Sequence, residues 1–173
     1  MNTPDADTRR IGRRLGLLAT LAFLALGWVS FDGAIERRED PNRNLVVAPG
    51  AGELVLQRNR AGHYLLPGEI NGRPVRLLLD TGATQVSVPA RLAAELGLQA
   101  GAPASVLTAN GAVTVRQTRI PRLAFGPFEF RDVAGHLNPG MQGDEVLLGM
   151  SALRHLEFTQ RGDTLTLRAP GSG

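Results

Sequence analysis

From Glu53 onward, apolar and polar residues alternate in short runs, and turn residues separate the runs. Alternation with a period of two is the mark of a strand with one buried face. "ELVLQRN" and "HYLLPGEI" read as strands that pair across Arg60-Ala61-Gly62. "GEI" and "RPVRLLL" flank Asn71-Gly72, the strongest short hairpin signal. Pro74 places its strand at an edge, because proline donates no ladder hydrogen bond. "QVSVP" is a further strand, and the spacing in "PARLAAELGL" predicts a helix over Pro89 to Leu98, ended by Gly97 or Gly101. Hairpins follow around Asn110-Gly111 and Gly126-Pro127. "DEVLLGMSALRHLEFTQ" runs from an apolar strand through Gly149 into one helical turn and out into a strand, and "LEFTQRGDTLTLR" is a last hairpin. The expected fold is mainly β: a small closed barrel with one or two short helices, over residues 53–168, followed by a tail at 169–173.

The pattern before Glu53 is different. Leu15 to Phe31, "LGLLATLAFLALGWVSF", carries no charge and is apolar all round. At about 1.5 Å per residue it spans roughly 25 Å, the short end of what crosses a bilayer. Arg9, Arg10, Arg13 and Arg14 precede it, and Trp28 lies near its far end. Positive charge keeps its own side cytoplasmic, and an aromatic favours the interface. The expectation is a cytoplasmic segment 1–14, a single-pass anchor 15–31, and a stalk 32–52 rich in charge, Pro and Gly. Residues 32 onward are then expected to be exported, to the periplasm beyond the inner membrane if the source is a double-membrane bacterium. The competing reading is a cleaved signal peptide, which a poor small-x-small site near Ala34 disfavours.

Composition narrows the chemistry. Cysteine is absent, which removes disulfides and thiolate metal sites. All 19 basic residues are arginine, spread thinly along the chain, with a net charge of only +3. No basic stripe interleaves with aromatics, so a nucleic-acid partner is not expected. His63, His136 and His155 lack metal-site spacing, no serine lies in a Gly-x-Ser-x-Gly elbow, and no glycine loop precedes a helix. No metal and no cofactor are expected.

What remains is "LLLDTGATQVSVP", Leu77 to Pro89. An apolar strand runs straight into Asp80, followed by Thr81, Gly82, Ala83 and Thr84. An aspartate after a strand often only caps a turn. Held instead by backbone N–H groups, it can act as general base to a water molecule. Here the tripeptide follows an Asn-Gly hairpin. A polar Gly-tipped hairpin comes later, and then an apolar-apolar-Gly turn, Leu147-Leu148-Gly149. In "GHYLLPGEINGRPVRLLLDTGATQVSVP" and "EVLLGMSALRHLEF" the chain resembles the retropepsin-like aspartic peptidases, specifically the bacterial membrane-anchored single-lobe type. The resemblance covers roughly residues 53–168. It implies a small acid-protease barrel with Asp80 as the catalytic carboxylate. Thr81 would bond across a two-fold axis, with Gly82, Ala83 and Thr84 completing the loop. Leu147, Leu148 and Gly149 would form the supporting strand. Thr108, Ala109, Asn110 and Gly111 would form a flap over the substrate.

That chemistry takes two carboxylates sharing a proton. The nearest second copy, Asp163-Thr164-Leu165, lacks the glycine and falls in a hairpin turn. The second aspartate must then come from another chain, which predicts a homodimer with both Asp80 residues at the axis. The expected function is a membrane-anchored aspartic endopeptidase acting on peptide or protein substrates. The alternative is a non-catalytic dimer of the same fold that binds extended peptides by strand addition.

Overall fold

A computed structural model describes residues 39–47, 51–108 and 111–171 of the chain. The described residues contain ten strands and a short α-helix. They are β1 (Glu53–Gln57), β2 (Leu65–Ile70), β3 (Arg73–Leu79), β4 (Val86–Pro89), β5 (Pro103–Thr108), β6 (Gly111–Phe125), β7 (Phe128–Asn138), β8 (Glu145–Leu148), α1 (Met150–Leu153), β9 (Glu157–Arg161) and β10 (Thr164–Arg168). Seven strands form one sheet in the order β2-β3-β8-β4-β7-β6-β5. A further pairing of β2 with β6 curls the first six into a closed barrel and leaves β5 as an outer extension. Closure removes the exposed sheet edges that a flat array would leave. Leu66, Ile70, Leu77, Val86, Val88, Ile120, Leu123 and Leu148 fill the interior. The proposed anchor, residues 15–31, lies outside the described residues. No helix among the described residues is long and apolar enough to cross a membrane.

Turn chemistry does more than reverse the chain. Asn71 (φ 52°) and Gly72 (φ 76°) both take the left-handed region, as a two-residue hairpin turn requires. Ile70 then pairs with Arg73 as the Asn-Gly signal predicts. The Asn71 side chain also accepts from the Arg122 N–H (3.1 Å) and donates to the Leu96 carbonyl (2.8 Å). The hairpin tip therefore fastens β2 to β6 where the barrel closes. Pro74 pairs with Glu69, while β8 begins only opposite Arg76. Its other side faces no strand among the described residues, which suits its missing donor.

Two local expectations are corrected. β1 does not pair with β2; it pairs with β10, Leu54 opposite Leu167 and Leu56 opposite Leu165. The edges of β2 are already taken by β3 and β6, so β1 is left to a separate three-stranded sheet, β1-β10-β9. The segment expected as a helix over Pro89 to Leu98 is a 3-10 turn, Ala90–Leu92, followed by further turns. Pro89 is the last residue of β4 with ψ 125°, no side chain among the described residues caps the turn, and Gly97 (φ 65°) reverses the chain. So short a helix has little stability of its own, and burial of Leu96 and Leu98 decides the path.

Residues 39–47, which the sequence places in the linker, pack against the domain. Asn42 is 3% exposed. Its amide donates to the Gln57 carbonyl (2.8 Å) and the Leu65 carbonyl (2.7 Å), and its oxygen accepts from the Gln57 N–H (2.8 Å). One side chain thus links β1 to β2, which do not pair with each other. Beside it Asp40, 8% exposed, forms an ion pair with Arg76 of β3 at 3.1 Å. Asn42→Ala strands buried backbone groups on two strands. It is expected to lower the unfolding free energy by about 2 kcal/mol or more, read by denaturant titration. A change below about 0.5 kcal/mol would show that water replaces the amide.

Candidate active site

Asp80 leaves the end of β3 where β3 and β8 run parallel, Leu79 opposite Leu148. The Asp80 N–H donates to the Leu148 carbonyl (3.1 Å), extending that ladder by one bond. Its own carbonyl accepts from the Ala83 N–H (3.2 Å), and its Oδ1 accepts from the Gly82 N–H (2.9 Å). The chain therefore turns around its own carboxylate. A Cβ on Gly82 would stand 3.2 Å from Oδ1, so glycine allows the close approach. Thr81, Gly82 and Thr84 are exposed, and Asp80 and Ala83 are half-buried.

A second turn interlocks with this loop. β8 ends at Leu148, Gly149 follows it, and the first residues of α1 reach back. Met150 N–H donates to the Ala83 carbonyl (2.8 Å) and Ser151 N–H to the Thr84 carbonyl (2.9 Å). The Ser151 hydroxyl donates to the Ala134 carbonyl (2.7 Å) and accepts from the Val86 N–H (3.0 Å). Gly149 lies against the loop backbone: a Cβ there would stand 2.6 Å from the Gln85 carbonyl carbon and 2.7 Å from the Ala83 oxygen. Leu147, Leu148 and Gly149 thus abut the aspartate loop, where the sequence reading placed a supporting strand. Ser151 was not legible as a part of this arrangement. A serine just inside a helix reads as an ordinary helix-start residue, and only the packing of three segments reveals its bonds.

The Asp80 loop opens onto a groove of about 820 Å³. β5 and the start of the β5–β6 hairpin form its other wall, with Val106, Leu107 and Thr108 lining it. Thr108 pairs with Gly111, and its hydroxyl donates to the Gly111 carbonyl (2.8 Å). Ala109 and Asn110, the expected tip of the flap, lie outside the described residues. Leu107 is almost fully exposed.

Sequence reasoning also missed His136, which lines this groove with Gln85, Ser87, Gln117 and Asn138. The histidine lies in β7, far along the chain from Asp80. Parallel pairing of β4 with β7 sets it opposite Ser87, and so beside the site. Burial holds the imidazole below its ordinary pKa of 6.5. Asp80 is the one carboxylate among the described residues lining the groove. A lowered histidine pKa favours the neutral ring in the folded state. Its contribution is present above pH 6.5 and is lost as pH falls through the folded pKa. Thermal melts of the protein should therefore weaken more between pH 7 and pH 5 than those of His136→Gln. Identical pH slopes would contradict this assignment.

A closed six-strand barrel, with an Asp-Thr-Gly loop pinned against a Leu-Leu-Gly strand, defines the single-lobe acid-protease class. Comparison with known proteins agrees. The family profile described as "gag-polyprotein putative aspartyl protease" matches residues 66–155. A crystal structure of a retropepsin-like aspartic protease from Rickettsia conorii superposes with a TM-score of 0.58 at 31% identity, covering 68% of this chain and 91% of that one. An uncharacterised protein encoded in the cobV 5′ region of a Sinorhizobium species is 29% identical over 92% of this chain and 75% of its own length. Protein RP867 of Rickettsia prowazekii, also uncharacterised, is 28% identical over 61% of this chain and 46% of its own length. The chain belongs to the retropepsin-like aspartic peptidase family.

Proposed function

We propose that the protein is an aspartic endopeptidase whose active unit is a homodimer, with Asp80 from each chain sharing one proton and activating a water. The observation carrying this reading is the half-site itself. Asp80 is gripped by the Gly82 N–H at the edge of an open groove, and no other carboxylate lines that groove among the described residues. A lone carboxylate can take a proton from water, but a second acid must then protonate the peptide carbonyl. Thr81 next to Asp80 is exposed, and its hydroxyl has no hydrogen-bond partner among the described residues. This suits a contact with the same loop of a second chain. In the dimer Thr81 would lock the paired loops, Gly82, Ala83 and Thr84 would line them, and the 108–111 hairpin would cover an extended peptide. We further propose that residues 15–31 anchor the chain in the bacterial inner membrane with the peptidase domain in the periplasm. Confinement to a surface raises the effective concentration for pairing.

Digestion of an unbiased peptide library by the protein, from acid to neutral pH, tests the activity. Mixing with the Asp80→Asn protein tests the shared site. If each site needs both aspartates, an equal mixture allowed to exchange subunits retains about a quarter of the activity. If each chain acts alone it retains about half, and the dimeric reading fails.

A further inference from the structure

The groove floor is one transverse row of side chains across four strands. Leu147 of β8 stands opposite Ser87 of β4, Ser87 opposite His136 of β7, and His136 opposite Gln117 of β6. Paired residues project to the same face of a sheet, so the row forms a continuous surface beside Asp80. It begins apolar at Leu147 and turns polar beyond it. Asn138, two residues after His136, lies on the same face, and Gln85 closes the near end.

The hydrogen-bonding capacity of this polar end is largely unused. Ser87, 2% exposed, donates to the Met141 sulfur (3.2 Å). Asn138 accepts from the Gly140 N–H (2.8 Å), which leaves its amide NH₂ available. Among the described residues the side chains of His136, Gln85 and Gln117 have no hydrogen-bond partner, yet His136 is half-buried. An apolar occupant would desolvate these groups without pairing them, which is unfavourable. Among the described residues no arginine lines the groove, so a carboxylate would meet no cation from them and would face Asp80. A neutral group offering both a donor and an acceptor matches the imidazole and the two glutamine amides.

We propose that His136 is a specificity-determining residue: with Gln117 it hydrogen-bonds a side-chain amide, that of asparagine or glutamine, at one substrate position flanking the scissile bond. This rests on reading the groove as the substrate groove. A site built to hydrogen-bond a substrate group discriminates strongly against analogues that lack it.

The test is a peptide library with all residues varied around the cleaved bond, run in two arms. One arm measures cleavage by the wild-type protein, His136→Leu and His136→Gln. The other measures competitive binding to Asp80→Asn and to the double variant Asp80→Asn/His136→Leu. Preference for asparagine or glutamine over leucine at one position is expected. His136→Leu should erode it on the order of tenfold, and His136→Gln should keep it. Gln117 is exposed, so Gln117→Leu tests the same row with little risk to folding, and it should weaken the same preference. Cleavage with no amide preference, or with a preference unmoved by His136→Leu and Gln117→Leu, overturns the inference and leaves the peptidase reading standing. Amide-selective binding without cleavage supports the inference and overturns the peptidase reading. Absence of both cleavage and binding overturns both.

Discussion

Replacing Asp80 with asparagine is expected to reduce peptide cleavage by on the order of a thousandfold or more, with the fold and the dimer intact. The amide is nearly the shape of the carboxylate and can still accept from the Gly82 N–H at Oδ1. It cannot take a proton from water, nor pass one to the substrate. The two carboxylates of a dimer would lie a few ångströms apart, where both cannot ionise easily. Their titration belongs to the pair, so losing one member removes the acid and the base together. Removing that repulsion should leave the dimer as stable as before or more so. Cleavage by purified Asp80→Asn within tenfold of wild type would refute Asp80 as the catalytic group. Wild-type peptide binding by both proteins, with cleavage by neither, would instead point to a peptide-binding module.

The second large effect is structural. Gly149→Ala is expected to destabilise the protein by about 3 kcal/mol or more, or to prevent folding. The backbone at Gly149 (φ −92°, ψ −178°) is ordinary for any residue, so strain is not the reason. The reason is space: the added carbon would stand 2.6 Å from the Gln85 carbonyl carbon and 2.7 Å from the Ala83 oxygen. Those atoms are backbone, fixed by the Met150 and Ser151 N–H bonds to the same loop, and cannot rotate away. A fall in the melting temperature on the order of 10 °C would be read by circular dichroism or calorimetry. Because the clash falls on the aspartate loop, any folded Gly149→Ala protein should also lose activity out of proportion to its stability. A variant that melts within about 2 °C of wild type would show that the two turns are not in close contact.

Strands were legible wherever alternation and a turn signal coincided. Asn71-Gly72, Gly126-Pro127 and Gly162-Asp163 each mark a hairpin that is present. Pairing partners were legible only where a turn joined them. β1 was assigned to its neighbour β2 but lies on β10, because alternation specifies which face is buried and not which edge is open. The helix expected over Pro89 to Leu98 failed for a related reason. Its apolar spacing is real, but Leu96 and Leu98 reach the core from a run of turns.

The sequence by itself determined the local chemistry of this protein. It placed a carboxylate after an apolar strand, a glycine two residues on, a Leu-Leu-Gly strand later, and a single copy of the motif. These are short-range facts, dictated by residue type and backbone freedom. Tertiary structure alone decided what surrounds that carboxylate. Ser151 ties three segments together at the loop, and Asn42 fastens two strands that never pair. His136 reaches the groove through the register of β4, β7 and β6. Each of these depends on contacts between residues far apart in the chain. Closure of the barrel sets those contacts, and no local pattern encodes them.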